Sequence, residues 1–374
     1  MKIWQLVTVL LVLAPSALSV SQDRLCGNDK NNLWLDLILI VDNSQPTDSI
    51  YETISGIFGP QSQIGTHYED PRSSRVAIIT YNNEATTVGI LERFVRNKIF
   101  QIAQFSTFKS LDQLKTELTV LKNSGTSGNE SYLDTGLSSA QAILNKTEDR
   151  MNYKKVVLVF ASTYDLLYDR PDYIAHALKS NGVTVITVYT GNDKTVKGQL
   201  KNVASDGFAF QMSANTTTDL QNALTTVNCF CTDSWTWTQY KHFGICMLYP
   251  GVKGNQKSAH KYCKSLGLPS NLATEFNEDK RKFNYKFINS FDDDSINSYW
   301  NGLTCENSTW YWDQPKGQPL VPLDSSSGSI SASTGCVADV KHSDGSVKWT
   351  PISCSNLFYF LCEAKACDTD NYCD

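Results

Sequence analysis

The side chains of this sequence that could carry out chemistry are its histidines, its cysteines and a few carboxylates in loops. The five histidines show no metal-ligand spacing, and no Gly-x-Ser-x-Gly or Walker-type loop accompanies a strand-to-helix turn. Most of the 11 cysteines are expected to form disulfides rather than to act as nucleophiles. These patterns predict a protein that is not an enzyme.

One loop places a carboxylate and a hydroxyl directly after an apolar run. Residues 33–41 have the pattern of a buried strand, and Asp42-Asn43-Ser44 follows them. An open parallel sheet binds ligands beyond the carboxyl ends of its strands. The loops after Val41, after Ala161 and before Tyr132 are therefore the ones expected to lie at a binding site.

The elements that must position these loops alternate between apolar runs and amphipathic stretches. This alternation is typical of an α/β doubly wound domain, in which helices cover both faces of a mostly parallel sheet. A helix is expected to begin near Pro46, ahead of the others. The predicted strands are 33–41, 75–81, 156–161, 183–189 and 208–211, and the predicted helices are 111–121, 132–145, 172–180 and 217–227.

Cysteine usage divides the chain into two domains. Cys26 stands alone before Cys229, whereas the remaining cysteines lie between Cys229 and Cys373. A long first domain can bury a core without cross-links, but a shorter second domain that is rich in Trp, Gly and Ser depends on disulfides. The boundary is predicted near Phe230.

The first residues have the pattern of a secretory signal peptide, predicted as residues 1–19: Lys2, an apolar run over 3–13 and a small-residue exit. No later segment is apolar for long enough to span a membrane, so the protein is expected to be secreted and extracellular. The net charge of −5, with scattered Lys and Arg, disfavours nucleic acid as a partner. Glycosylation is predicted at the sequons of Asn129, Asn145, Asn215 and Asn307.

Across residues 32–228 the chain resembles a von Willebrand factor A domain. In that family an Asp-x-Ser-x-Ser loop, a Thr and a later Asp bind magnesium. Asp42 and Ser44 match the first loop, but its last position is Pro46, the Thr position is Ser131 and the later Asp position is Ser162. The resemblance thus implies a degenerate magnesium site of Asp42, Ser44 and Ser131 that is weak or absent. The alternative is that Asp42 and Ser44 act as turn and helix-capping residues.

Residues 231–363 resemble a C-type lectin-like domain, an α+β fold rich in disulfides. Four stretches carry the resemblance: residues 231–249, residues 257–273, residues 299–303 with Trp310-Tyr311-Trp312, and residues 336–363. Sugar-binding members hold calcium with a Glu-Pro-Asn or Gln-Pro-Asp tripeptide and a later Trp-Asn-Asp. Here the long loop lacks such a tripeptide and the later motif is Trp349-Thr350-Pro351, so calcium is not expected. Asp313-Gln314-Pro315 follows Trp312 directly, where the family has a structural turn.

The two resemblances also imply disulfide pairs. In the first domain Cys26 pairs with Cys229, although Cys231 could take the place of Cys229, and in the second domain the pairs are Cys231–Cys246, Cys263–Cys362 and Cys336–Cys354. Three cysteines remain, two of them in the predicted C-terminal tail of residues 364–374. In one interpretation Cys367 pairs with Cys373 and Cys305 is free or bonded to another chain. In the other, Cys305 is the intermolecular link of a disulfide-linked dimer.

The tryptophans of the second domain are assigned mainly to its core. Trp300, Trp312 and Trp349 are predicted to be buried, and Trp237 and Trp310 are the candidates for exposed ligand contacts. The family resemblance implies a secreted recognition protein for carbohydrates or microbial surfaces in innate defence, with lost or calcium-independent sugar binding. The alternative is an extracellular adhesion or matrix module that binds a protein partner.

Overall fold

The computed structural model describes residues 23–44, 48–65, 72–81, 85–87, 105–123, 131–147, 149–150, 152–163, 169–232, 237–240, 243–291, 295–324, 330–331 and 335–373. The predicted signal peptide, Pro46 and Asn129 lie outside these residues. The chain divides into two compact units. Of the described residues, the N-terminal unit comprises those from Arg24 to Leu248 and from Ala364 to Cys373, and the C-terminal unit comprises Asp23 and those from Tyr249 to Glu363.

A six-stranded, mostly parallel sheet forms the centre of the N-terminal unit. Its order is β3-β2-β1-β4-β5-β6, with β3 antiparallel to β2 and all other neighbours parallel. The strands are β1 Leu35–Asp42, β2 Arg75–Tyr81, β3 Ala85–Thr87, β4 Lys154–Ala161, β5 Thr184–Tyr189 and β6 Ala209–Gln211, and the helices are α1 Asp48–Ile57, α2 Leu111–Lys122, α3 Leu133–Lys146, α4 Pro171–Ser180, α5 Lys194–Val203 and α6 Thr216–Val227.

Strand β1 shows why the central strands are mostly apolar. All eight of its residues are buried, because successive side chains point to opposite faces and both faces are covered. Leu37 and Leu39 belong to the core beneath α1, α2 and α6, whereas Ile38 and Ile40 belong to the core beneath α3, α4 and α5. The predicted doubly wound fold is confirmed.

Two elements of this unit were not predicted. Helix α5 has only three buried apolar residues, Val196, Leu200 and Val203, among exposed polar ones, and Asp193 caps its N-terminus. These residues do have helical spacing, so a signal for α5 was present in the sequence. Strand β3 contains Thr86 and Thr87 instead of an apolar run, because it lies at the edge of the sheet.

The predicted C-terminal tail is part of the N-terminal unit. Asp368 is fully buried and accepts two hydrogen bonds from the Arg24 guanidinium, at 2.6 and 2.8 Å. The aromatic rings of Trp34 and Tyr372 also pack edge to face, with centroids 4.9 Å apart. The described part of the tail predicted over residues 364–374 therefore packs within the N-terminal unit. No local sequence pattern could show this, because the partners in these contacts lie more than 330 positions apart.

The N-terminal unit also contains a hairpin of β7, Trp237–Gln239, and β8, Ile245–Leu248. The division between units therefore falls after Leu248, whereas the sequence boundary was placed at Cys231. The disulfide between Cys231 and Cys246 lies wholly within this unit and fixes the hairpin to the residues that follow α6.

The C-terminal unit has two helices packed with antiparallel strands. Strands β12-β11-β10-β13-β14 form one sheet, and β15 pairs with β10 in parallel. Trp300 and Trp312 are fully buried, as predicted, and Trp349 packs edge to face on Trp312. The elements are α7 Gln256–Ser265, β9 Ser270–Leu272, α8 Glu278–Asn289, β10 Ser298–Glu306, β11 Thr309–Trp312, β12 Val321–Pro322, β13 Cys336–Lys341, β14 Val347–Ile352 and β15 Tyr359–Phe360, followed by β16 Cys362–Lys365, whose last two residues belong to the N-terminal unit.

Five disulfides join ten of the 11 cysteines. The structure contains the four pairs that the resemblances implied, Cys26–Cys229, Cys231–Cys246, Cys263–Cys362 and Cys336–Cys354, together with Cys367–Cys373. Cys305 lies on β10, outside the five bridges and partly buried.

Candidate functional site

The loop after β1 holds the carboxylate of Asp42 at the centre of a hydrogen-bond cluster. Its Oδ1 accepts from the backbone N–H and the hydroxyl of Ser44, at 2.9 and 2.6 Å. Its Oδ2 accepts from the backbone N–H and the hydroxyl of Ser162 after β4, at 3.1 and 2.5 Å. Both oxygens of the buried carboxylate are therefore satisfied by protein donors.

Ser131 lies at the same edge of the sheet but makes a different contact. Its hydroxyl donates to the backbone carbonyl oxygen of Thr163 at 2.9 Å. Sequence analysis grouped Asp42 with Ser44, and the structure places the two side chains in contact. Sequence analysis also named Ser162 as the position where the family's carboxylate is replaced by a hydroxyl. That hydroxyl donates a hydrogen bond that stabilises the Asp42 carboxylate, and it does not supply the second negative charge that would attract a cation.

Asp169 is a carboxylate near this loop that sequence reasoning missed. It accepts from the backbone N–H groups of Leu133 and Asp134, at 2.6 and 2.9 Å, and so holds the first turn of α3. Burial raises the pKa of Asp169 to about 7, aided by the neighbouring Asp134 carboxylate and opposed by the two backbone donors. Asp169 is therefore only partly charged at neutral pH, and its oxygens already accept hydrogen bonds from the first turn of α3.

The geometry of the Asp42 cluster leads to a prediction about magnesium. Millimolar Mg²⁺ is expected to leave the thermal unfolding midpoint of the protein unchanged relative to a chelator, because the ion would have to displace donors that already satisfy Asp42. Ser162→Asp is the matched variant: it restores a second carboxylate, and its midpoint is expected to rise with Mg²⁺. A magnesium-dependent rise in the unmodified protein would contradict this view of the site.

In the C-terminal unit Asp313 begins the Asp313-Gln314-Pro315 segment, and its carboxylate is fully buried. It receives Lys264 at 2.9 Å, His260 at 3.2 Å and the backbone N–H of Leu272 at 3.1 Å. Burial alone would raise the pKa of Asp313, but the hydrogen bonds from His260 and Lys264 outweigh it and lower the pKa. Asp313 thus stabilises the fold of this unit, in line with the structural turn that the sequence resemblance implies at this position.

A second buried carboxylate of this unit, Glu363, is held by donors from two segments. It accepts from the Lys280 ammonium at 2.7 Å and from the Thr274 hydroxyl at 2.8 Å. Asp23 completes the group, since its carboxylate lies 3.0 Å from the same fully buried ammonium. No group of three or more His, Cys, Asp or Glu side chains suited to a metal ion occurs in the part of the chain that the structure describes.

The expectation that Trp237 and Trp310 are exposed contact residues is wrong. Each side chain is only 8% exposed. Trp237 lies on the β7–β8 hairpin, and Trp310 packs with Leu303 and Val337 in the core of the C-terminal unit. Successive residues of a strand point alternately to the core and to solvent. Which of the two faces a tryptophan occupies depends on the strand register, and the tryptophan positions alone do not reveal that register.

The sequons are placed where a glycan could be attached. The described asparagines Asn145, Asn215 and Asn307 are all exposed, the last of them in the turn between β10 and β11. None of the helices in the described ranges is long and apolar enough to cross a membrane.

Comparison with known proteins identifies both units. Residues 36–226 match the von Willebrand factor type A domain model, and residues 252–364 match the C-type lectin domain model. The chain is 22% identical over 378 residues to C-type lectin domain-containing protein 160 of Caenorhabditis elegans, with 93% of this chain covered. It spans 56% of the length of that curated relative.

Solved structures also match parts of this chain. Proximal thread matrix protein 1 from the mussel byssus is 16% identical, with a TM-score of 0.40 over 54% of this chain and 47% of that chain. The lectin CEL-IV is 15% identical, with a TM-score of 0.29 over 37% of this chain and 96% of that chain.

Proposed function

Because the chain belongs to the von Willebrand factor type A domain family and carries a C-type lectin domain after it, we propose that it is a secreted, non-catalytic recognition protein. Its ligands are carbohydrates on microbial or other extracellular surfaces, in innate defence, and it binds them without calcium. The observation that carries the proposal is the presence of two domains of binding type in one chain. Five disulfides support an oxidising, extracellular location.

Calcium independence is supported by how the described carboxylates are used. Asp313 and Glu363 are each held by a lysine ammonium, and Asp42 is held by two serines. Trp349-Thr350-Pro351 of β14 supplies no carboxylate at the position where sugar-binding lectins have one. A calcium ion would need oxygen ligands that these residues do not leave vacant.

A glycan array probed once with calcium and once with a chelator tests the proposal. Sugar binding of the same strength under both conditions is expected. Binding that disappears with the chelator would refute the calcium-independent site, and the heat-denatured protein serves as the control for non-specific adsorption.

The second candidate function is adhesion through a protein partner, with no sugar bound. The burial of Trp237 and Trp310 favours it, because it removes the two side chains expected to stack on a sugar ring. An array without signal under both conditions would support this function. A dimer linked through Cys305 stays a prediction, for which electrophoresis with and without reducing agent is the test.

A further inference from the structure

A cavity of about 510 Å³ lies in the N-terminal unit, where the central strands begin, at the opposite end of the strands from Asp42. Lys154 and Thr184, the first residues of β4 and β5, line it. Lys154 of β4 lies beside Leu35, the first residue of β1, and Asp42 is the last residue of β1. Seven residues separate Leu35 from Asp42, which is about 23 Å at the usual rise of a strand. Ligands bound here would not touch the Asp42 cluster.

Among the fourteen described residues that line this cavity, Lys154 is the one with a charged side chain. Its ammonium lies 4.4 Å from the centre of the Phe230 ring, and burial lowers its pKa. No carboxylate of the described residues contributes to that shift, whereas the adjacent Lys155 has an ion pair with Asp149 at 2.5 Å. A cation partly removed from water without a counter-ion is costly, and an anion in the cavity would offset that cost.

The remaining lining indicates the chemistry of such an anion. The side chains of Asn28, Thr184 and Asn222 make no hydrogen bond within the described part of the chain, so their amides and hydroxyl can pair with a ligand. Leu25, which is 62% exposed, and Phe208 supply apolar surface. One cation, several neutral polar groups and an apolar wall suit a molecule with one carboxylate, several hydroxyls and an apolar face.

We propose that this cavity binds a small sugar acid, with the ligand carboxylate on the Lys154 ammonium and the ligand hydroxyls on Asn28, Thr184 and Asn222. The site stands on the cavity and its lining alone. It holds whether or not the protein recognises glycans on a surface, because a free sugar acid needs neither the C-terminal unit nor the Asp42 cluster.

Calorimetric titration of the whole protein with glucuronate, and with methyl glucoside as the uncharged match, tests the proposal. Glucuronate is expected to bind at least tenfold more tightly than the glucoside. Lys154→Met keeps the aliphatic stem and is expected to weaken glucuronate binding about tenfold or more, as expected for the loss of one charged hydrogen bond. Lys155→Met is the control and is expected to bind glucuronate as the unmodified protein does.

Equal affinity for glucuronate and glucoside, no binding of glucuronate, or unchanged binding by Lys154→Met would each overturn the site. Should Lys154→Met fail to fold, the unmodified protein still decides the matter by NMR. The pKa of Lys154 is then expected to rise when glucuronate is added, and an unchanged pKa refutes the contact. A failed glycan array would leave these results untouched, so the two proposals fail separately.

Discussion

Asp36→Ala is expected to destabilise the N-terminal unit by about 3–5 kcal/mol. The Asp36 carboxylate is almost completely buried between two arginines. It accepts from Arg75 at 2.5 and 2.8 Å and from Arg150 at 2.5 and 3.0 Å. Removing it takes away the carboxylate that the two guanidinium groups share, and burial already lowers the pKa of Arg150.

Chemical denaturation followed by circular dichroism measures this loss of unfolding free energy. Asp149→Ala is the matched control, because Asp149 forms an ion pair with Lys155 at 2.5 Å but is exposed. An exposed pair of this kind contributes about 0–1 kcal/mol. If the two variants lost the same unfolding free energy, burial would not be what makes Asp36 important.

Asp339→Asn is expected to stabilise the C-terminal unit by about 1–3 kcal/mol at neutral pH, whereas Glu275→Gln is expected to destabilise it by a similar amount. The two carboxyl groups are fully buried and within hydrogen-bonding reach of each other. Glu275 accepts from Tyr299, Asn284 and Trp349, at 2.8, 3.0 and 2.9 Å. Asp339 accepts from Asn301 alone, at 2.7 Å, and its Oδ1 lacks a donor.

These contacts decide which group carries the proton. Glu275 receives three donors, whereas burial and the adjacent Glu275 carboxylate raise the pKa of Asp339 well above its usual value, so the proton is assigned to Asp339. An asparagine at position 339 can still accept from Asn301 while its amide donates to Glu275. A glutamine at position 275 would replace one acceptor oxygen of Glu275 with an amide N–H group. That N–H group would face one of the three donors, which would then lack an acceptor.

The pH dependence of stability follows from the raised pKa of Asp339. Below the unfolded-state pKa of about 4, both states hold the proton. As the pH rises above that value, the unfolded state loses the proton first, so the pair is expected to lower the stability progressively up to the folded-state pKa of Asp339. Thermal unfolding over this range should show a smaller decline for Asp339→Asn than for the unmodified protein. Identical pH profiles would disprove the assigned proton.

Several features of the fold followed from local sequence. The apolar runs of β2, β4 and β5 predicted those strands to within two residues of either end, because a strand buried on both faces has little room for polar side chains. The crowding of cysteines after Cys229 predicted a disulfide-rich second part, since small domains depend on cross-links. Asp42 and Ser44 were found because they directly follow such a strand.

Other features could not be read from local patterns. Trp237 and Trp310 looked alike as candidates for exposed contacts, yet strand register buries both. Asp169 has no motif around it, and its contact with the first turn of α3 depends on where β4 and α3 bring their loops. The cavity around Lys154 joins residues from Leu25 to Gln239, so its existence depends on packing and not on any one segment.

The sequence by itself determined that this protein has two domains of binding type, a doubly wound one and a disulfide-rich one, with the expected metal ligands replaced. Periodicity and cysteine spacing suffice for the two domains and the parallel sheet, because they report which face of an element is buried and where cross-links are needed. The binding type of the domains and the replaced metal ligands follow from the family resemblances that the sequence carries. Only the tertiary structure decided which charges are buried together. Lys280 and Asp339 look like ordinary surface residues in the sequence, and Asp36 interrupts an apolar run with no partner beside it. The partners of all three come from elements tens to hundreds of residues away.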